Sequence, residues 1–160
     1  RASERAFQLL VQVGGRAGRG DRAGEVYVQT YAPHAPSIQY SRKADLNGFC
    51  EEELELRKEF GYPPYRHLIR HLFRGRSQEK VEFYAQQWKK RLDANPIPQA
   101  DVKGPAPAPL EKIKGFYRYH LLYLTGSVRP FLNHFHSRRE AFPLDKEVHD
   151  VIDVDCQQLS

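Results

Sequence analysis

From Arg66 to the end of the chain, strand-type and helix-type periodicities alternate, and their order restricts the fold more than any other feature of the sequence. Arg66 to Arg74 reads as a strand. Ser77 stands as a cap before Val81, Tyr84, Ala85, Trp88 and Leu92, which recur at helical spacing. Lys89, Lys90 and Arg91 fall in the last turn, where the helix dipole favours cations, and Asn95-Pro96 ends the helix. Asp101 to Pro105 gives a short strand. Phe116 to Leu124 gives a longer aromatic one with Tyr119, Leu121 and Tyr123 on one face. Ser127 caps a second helix, with Pro130 in its first turn and Val128, Phe131, Leu132 and Phe135 as its apolar face. Val148 to Cys156 is the final strand, with Ile152, Val154 and Cys156 on one side. The order β-α-β-β-α-β is the split βαβ arrangement of ferredoxin-like α+β folds. In such a domain Trp88 is expected in the core, not at a ligand.

The first 31 residues follow a different pattern. Ser3 is a good N-cap, Glu4 sits in the first turn, and Phe7, Leu10 and Val11 have helical spacing. The helix is expected to run into Gln12-Val13-Gly14-Gly15-Arg16-Ala17-Gly18-Arg19-Gly20, where Gly14 costs it about 1 kcal/mol relative to alanine. Gln12, Arg16 and Arg19 then share one stripe and offer an amide and two guanidinium forks to a single anion. Gly15 and Gly18 keep that surface low enough for a phosphate or another domain to approach. A flexible Arg/Gly linker is the competing reading of the same residues. Gly20 to Gly24 reads as a turn and Glu25 to Tyr31 as a buried strand, half of an α/β unit. A lone strand is unstable, so residues 1–31 are expected to end a larger sheet domain. Residues 32–65 are expected to form a helical connector. Ala32 to Pro36 is a breaker, Asp45 caps a helix to about Phe60 with Glu53 and Arg57 paired at i, i+4, and Gly61 to Tyr65 stops it. The expected organisation is α/β (1–31), connector (32–65) and α+β (66–160).

Hydrophobic residues make up 40% and charged residues 28% of the chain, enough to build a core and too apolar for disorder. With no run of 18 apolar residues and no signal-like start, the chain is expected to be soluble and intracellular, with no membrane partner. It contains no methionine, so it is expected to be a fragment or a processed product. Cys50 and Cys156 are too few and too distant for a four-cysteine zinc site, and the seven histidines show no H-E-x-x-H pattern. Asp150, Asp153 and Asp155 are split between faces by strand alternation. No metal site is expected.

The net charge of +5 is uneven: residues 1–31 carry +2, residues 32–65 carry −2 and residues 66–160 carry +5. The C-terminal part is therefore the better partner for an anion such as nucleic acid. Arg70, Arg74 and Arg76 share one parity. Lys112, Lys114 and Arg118 interleave with Phe116, Tyr117 and Tyr119 around an expected Leu110–Gly115 loop, an arrangement suited to backbone contact plus base stacking. Arg129 and Asn133, at i, i+4 near the start of the second helix, are candidates for docking an acidic peptide.

Arg1 to Arg5 followed by Gln12 to Arg19, Gly24-Glu25-Val26 with Gln29-Thr30-Tyr31, Glu51 to Pro64, Gly104 to Leu110 and Asp153-Val154-Asp155 together resemble the primosomal replication-restart helicases, the PriA (primosomal protein N′) family. The resemblance runs from within the second, RecA-like motor lobe to the C-terminus. It implies an ATP-dependent 3′→5′ DNA helicase that recognises stalled or abandoned forks and restarts replication by primosome assembly. Implied partners are branched or single-stranded DNA, single-stranded-DNA-binding protein and other primosome proteins, and the implied location is the bacterial cytoplasm, at the nucleoid. By this match Q-x-x-G-R-x-G-R is helicase motif VI. Gln12, Arg16 and Arg19 then approach the nucleotide, Arg19 as arginine finger and Arg16 as its neighbour, a role worth about 10³–10⁵-fold in rate. Gly14 replaces the alanine usual in the family. ATP with Mg²⁺ and a structural zinc belong to the full-length protein. The phosphate loop, the Asp-Glu-x-His motif and the zinc cysteines are missing from these 160 residues, so the chain alone is expected to be inactive. A stand-alone nucleic-acid-binding module and an acidic-peptide-binding module are the alternatives.

Overall fold

The computed structural model describes residues 2–17 and 24–156, which divide into two compact units, residues 1–60 and 61–160.

The first unit is helical. Helix α1 spans Ala2–Ala17, α2 Pro36–Ser41 and α3 Leu46–Glu59. Asp45 caps α3 by accepting a hydrogen bond from the Gly48 backbone N–H, as its short carboxylate and position before the run require. Phe7 of α1 and Phe49 of α3 are buried and stack with ring centroids 4.5 Å apart. Arg57 bridges the same two helices, its guanidinium donating to Glu4 at 2.7 Å and to Glu53 at 2.8 Å.

One expectation is extended here and one fails. The Ala32–Pro36 breaker leads directly into α2, because proline at the first helical position lacks only an N–H that has no intrahelical partner anyway. Glu25–Tyr31 forms no strand: it is exposed, and among the described residues no neighbouring strand takes its backbone groups. Gly18 to Ala23, which include Arg19 and most of the expected turn, lie outside the described residues.

The second unit is α+β. Strand β1 spans His67–Gly75, helix α4 Gln78–Ala94, strands β2 and β3 Ala100–Ile113 and Phe116–Thr125, helix α5 Val128–Glu140 and strand β4 Val148–Val154. The four strands form one sheet in the order β2-β3-β1-β4, every neighbouring pair antiparallel. Ser77 caps α4 through its side chain, which accepts from the Lys80 N–H. Ser127 occupies the equivalent place before α5 without such a bond. Alternation sends Ile69, His71 and Phe73 of β1 and Tyr119, Leu121 and Tyr123 of β3 to one face, where they are buried. There they meet Val81, Ala85, Trp88 and Leu92 of α4 and Phe131 and Phe135 of α5. Trp88 is wholly buried, its ring 5.4 Å from Phe135 and 5.2 Å from Phe142. It is a core residue, as its spacing indicates.

Strand β2 is far longer than the five-residue strand expected. It lies at the sheet edge, where prolines need not donate to a second neighbour, and its register slips between Lys103 and Ala106 and again between Pro107 and Lys112. The expected Leu110–Gly115 loop is thus a strand end plus a tight turn at Lys114-Gly115. On the last strand, Val154 is partly exposed and Cys156 lies beyond the strand end.

Candidate nucleic-acid interface

Helices α4 and α5 both pack on the core face of the sheet, and cations gather on the opposite face. The positions between the core residues are Arg70, Leu72 and Arg74 on β1, and Arg118, His120 and Leu122 on β3. Register sets Arg74 directly opposite Arg118, Leu72 opposite His120, and Arg70 opposite Leu122. On the other side of β1, strand β4 contributes His149 beside Arg74, Val151 beside Leu72 and Asp153 beside Arg70. Arg74 and Arg118 are therefore a directly opposed like-charge pair, an arrangement that weakens a sheet.

Only part of this charge is answered. Arg70 donates through Nη2 to Asp153 at 3.1 Å, while its Nε and Nη1 are buried with no hydrogen-bond partner. Arg118 is only 8% exposed and donates through Nη1 to the Leu110 carbonyl at 3.2 Å. Burial, then the neighbouring Arg70 and Arg74, hold its pKa below the usual guanidinium value. His120 is equally buried, its Nδ1 has no partner, and burial together with Arg70 and Arg118 lowers its pKa. Phe116 has the parity of Arg118, and the Arg76 guanidinium lies 5.7 Å from its ring centroid.

The three cations expected to act together do not form one cluster. Lys112 bonds to the Tyr117 hydroxyl at 3.0 Å and sits 4.3 Å from that ring's centroid, exposed at the hairpin end. Lys114 is exposed in the turn at φ +49°. Arg118 instead joins Arg70 and Arg74. The shared parity of Arg70 and Arg74 is a sequence signal, whereas His120 has none, because only the register places it among arginines.

A second titratable group lies on the core side of the sheet. His71 is completely buried, with its Nε2 at 2.8 Å from Asp150 Oδ2 and its Nδ1 at 3.4 Å from the Tyr123 hydroxyl. Trp88 Nε1–H donates to that hydroxyl at 2.7 Å. Burial lowers the His71 pKa below its usual value, against the opposite pull of Asp150. Burial would raise Asp150, but hydrogen bonds from His71 and Arg139 hold its carboxyl well below the ordinary carboxylate range. Arg139 supplies the cation, donating from Nε at 2.6 Å and Nη2 at 2.8 Å. This chain of bonds is closed inside the core and serves the fold.

In the first unit, Gln12 and Arg16 are exposed on α1, one turn apart. A Cβ built on Gly14 or Gly15 meets nothing within 4 Å, so that side of the helix presents a low surface. Arg19 lies outside the described residues. Arg129 and Asn133 are exposed in the first turns of α5. Among the described residues no group of three or more His, Cys, Asp and Glu side chains is arranged to hold a metal ion, and no helix is long and apolar enough to cross a membrane.

Comparison with known proteins places this arrangement. Residues 58–157, which contain the whole sheet and both of its helices, match the family model described as the primosomal protein N C-terminal domain. The chain belongs to that family. The replication restart protein PriA of Thermotoga maritima is 42% identical over 124 residues, covering 78% of this chain and 16% of the relative. The PriA proteins of Bacillus subtilis and Chlamydia muridarum are 33% and 32% identical over alignments covering 97% of this chain. These alignments cover 19% and 21% of the two relatives, so the chain spans about a fifth of the length of the proteins it matches. The primosomal family match and the buried Arg70 and His120 nitrogens without a partner fall on the same unit.

Proposed function

We propose that the chain is the C-terminal part of an ATP-dependent 3′→5′ DNA helicase that recognises stalled or abandoned forks and restarts replication by primosome assembly. The observation that carries the reading is the family match over residues 58–157, in a unit whose sheet holds buried arginine nitrogens without a partner on the face opposite α4 and α5. Residues 61–156 act as a DNA-contacting unit. The Lys112–Lys114 hairpin end and Arg118 supply phosphate contacts, and the half-buried Phe116 and Tyr117 rings beside Arg76 and Lys112 suit splayed bases. The β-α-β-β-α-β order and the strand order β2-β3-β1-β4 support a ferredoxin-like reading of this unit, and residues 1–31 are read as the end of a RecA-like motor lobe.

Gln12, Arg16 and Arg19 face a nucleotide held by the first motor lobe. Exposed Gln12 and Arg16 beside the low glycine surface fit such an approach. ATP with Mg²⁺ supplies the phosphoryl group transferred to water. The arginines contribute fixed positive charge where negative charge develops, and a lysine lacks the fork to do so. Zinc belongs to the longer protein, as do contacts to single-stranded-DNA-binding protein and other primosome proteins, in the bacterial cytoplasm. Arg129 and Asn133, exposed side by side, are the place for an acidic peptide.

Mixing the purified 160-residue chain with a forked oligonucleotide and ATP tests this division of labour. Saturable DNA binding without ATP hydrolysis or unwinding is expected. DNA-stimulated turnover by the chain alone contradicts it, and so does failure to bind the fork.

A further inference from the structure

We propose that Arg70, Arg74, Arg118 and His120 form a socket for a backbone phosphate on the face of the sheet opposite α4 and α5, the entry point of a single-stranded nucleic acid laid across β3, β1 and β4. The inference rests on the DNA-contacting reading above and goes beyond it by moving the main contact from the hairpin end to the sheet face.

The socket works against the fold that carries it. Arg74 and Arg118 are direct cross-strand partners of like charge, which destabilises an antiparallel ladder. A buried guanidinium or imidazole nitrogen without a partner is also unfavourable, and three such atoms, Arg70 Nε, Arg70 Nη1 and His120 Nδ1, meet on this face. The carboxylate that register brings beside them, Asp153, is already bonded to Arg70 Nη2. A dianionic or monoanionic oxygen group answers all of this at once, because guanidinium forks match phosphate oxygens in plane and spacing. The ligand's negative charge also removes the mutual repulsion of the arginines.

The surroundings favour a nucleic acid over a free anion. Successive same-face positions lie about 6.6 Å apart along a strand and neighbouring strands about 4.8 Å apart, so the cations form a path, not a point. Leu72, Leu122 and Val151 lie between them, and Phe116 stands at the β3 end with Arg76 over its ring. Apolar and aromatic positions among cations serve bases as well as phosphates, which an acidic peptide does not need.

The test uses the whole 160-residue chain and a 5′-fluorescein oligothymidylate, with affinity read by fluorescence anisotropy over a salt series. Arg118→Gln and Arg74→Gln should each weaken binding about tenfold. Each should flatten the log–log salt slope by about 0.7 for every phosphate no longer neutralised. Their Tm should hold or rise, because each substitution relieves a like-charge pair. Arg118→Lys keeps the charge but loses the fork, and should fall between wild type and Arg118→Gln. Lys90→Gln, an equal charge change on the exposed side of α4, should alter neither affinity nor slope. The socket is overturned if Arg118→Gln binds like wild type or weakens no more than Lys90→Gln. If Lys112→Ala/Lys114→Ala abolishes binding while Arg118→Gln does not, the hairpin reading stands and the socket fails. If wild type shows no saturable binding, both fail. A glutamate polymer that displaces the oligonucleotide at equal charge concentration from wild type, but not from Arg118→Gln, overturns the nucleic-acid assignment.

Discussion

Asp150 joins three functions in one carboxylate: it accepts from His71, is clamped by Arg139, and ties β4 to α5. Asp150→Asn leaves a partly buried guanidinium without its counter-charge, and should destabilise the chain by about 3 kcal/mol in urea denaturation. The two partners also set a pH dependence. Burial lowers the pKa of His71, so below about pH 6.5 the unfolded chain binds a proton that the folded chain refuses. The His71 contribution is therefore complete above that pH and is lost as pH falls toward the depressed folded value. The His120 shift has the same sign. The depressed Asp150 carboxyl adds stability that is complete above its unfolded pKa, near 4, and is lost as pH falls through its lower folded pKa. Tm should accordingly drop between about pH 7.5 and 5.5, a window that belongs to the histidines. In His71→Gln that drop should shrink. An equal drop in the variant would show that His71 does not carry it.

Local chemistry wrote most of the elements plainly into the sequence. Asp45 and Ser77 are readable caps because a short side-chain oxygen before an apolar-periodic run has one obvious use, and both accept the expected N–H. Ser77→Ala should cost about 1 kcal/mol. Ser127→Ala should cost less than half as much, since the Ser127 side chain makes no cap bond. Equal losses in urea denaturation would contradict that distinction. Strand β2 was legible only as far as Pro105: it continues to Ile113 because an edge position makes the missing N–H groups of Pro105, Pro107 and Pro109 harmless. Gly104 belongs to the same strand, at φ +97°, and a Cβ there would lie 2.8 Å from the His120 carbonyl oxygen. Gly104→Ala should therefore destabilise by about 1–3 kcal/mol and disturb the His120 row of the sheet face. Glu25–Tyr31 failed in the opposite sense, since β-prone residues do not make a strand without a neighbour to pair with. The sheet-face cluster was half visible. Parity groups Arg70 with Arg74, but no local pattern shows that Arg118, 44 positions after Arg74, stands opposite it.

At the scale of the whole chain, one unit carries an aromatic core on one side of its sheet and, on the other, an arginine-rich row that is exposed at Arg74 and largely buried at Arg70, Arg118 and His120. Trp88 holds the core side, and Trp88→Ala should remove about 3–5 kcal/mol, measured by circular dichroism. Residues facing the other way include the opposed Arg74 and Arg118 and the partnerless nitrogens of Arg70 and His120, where the proposed ligand would act. On the proposed reading, one side of the sheet folds the unit and the other binds. The most direct test of that division is the salt dependence of wild-type binding to a forked oligonucleotide, followed by anisotropy. A saturable isotherm whose log–log slope is about −2 or steeper, as three or more neutralised phosphates require, is the predicted result. No saturable binding, or an affinity indifferent to salt, would contradict it.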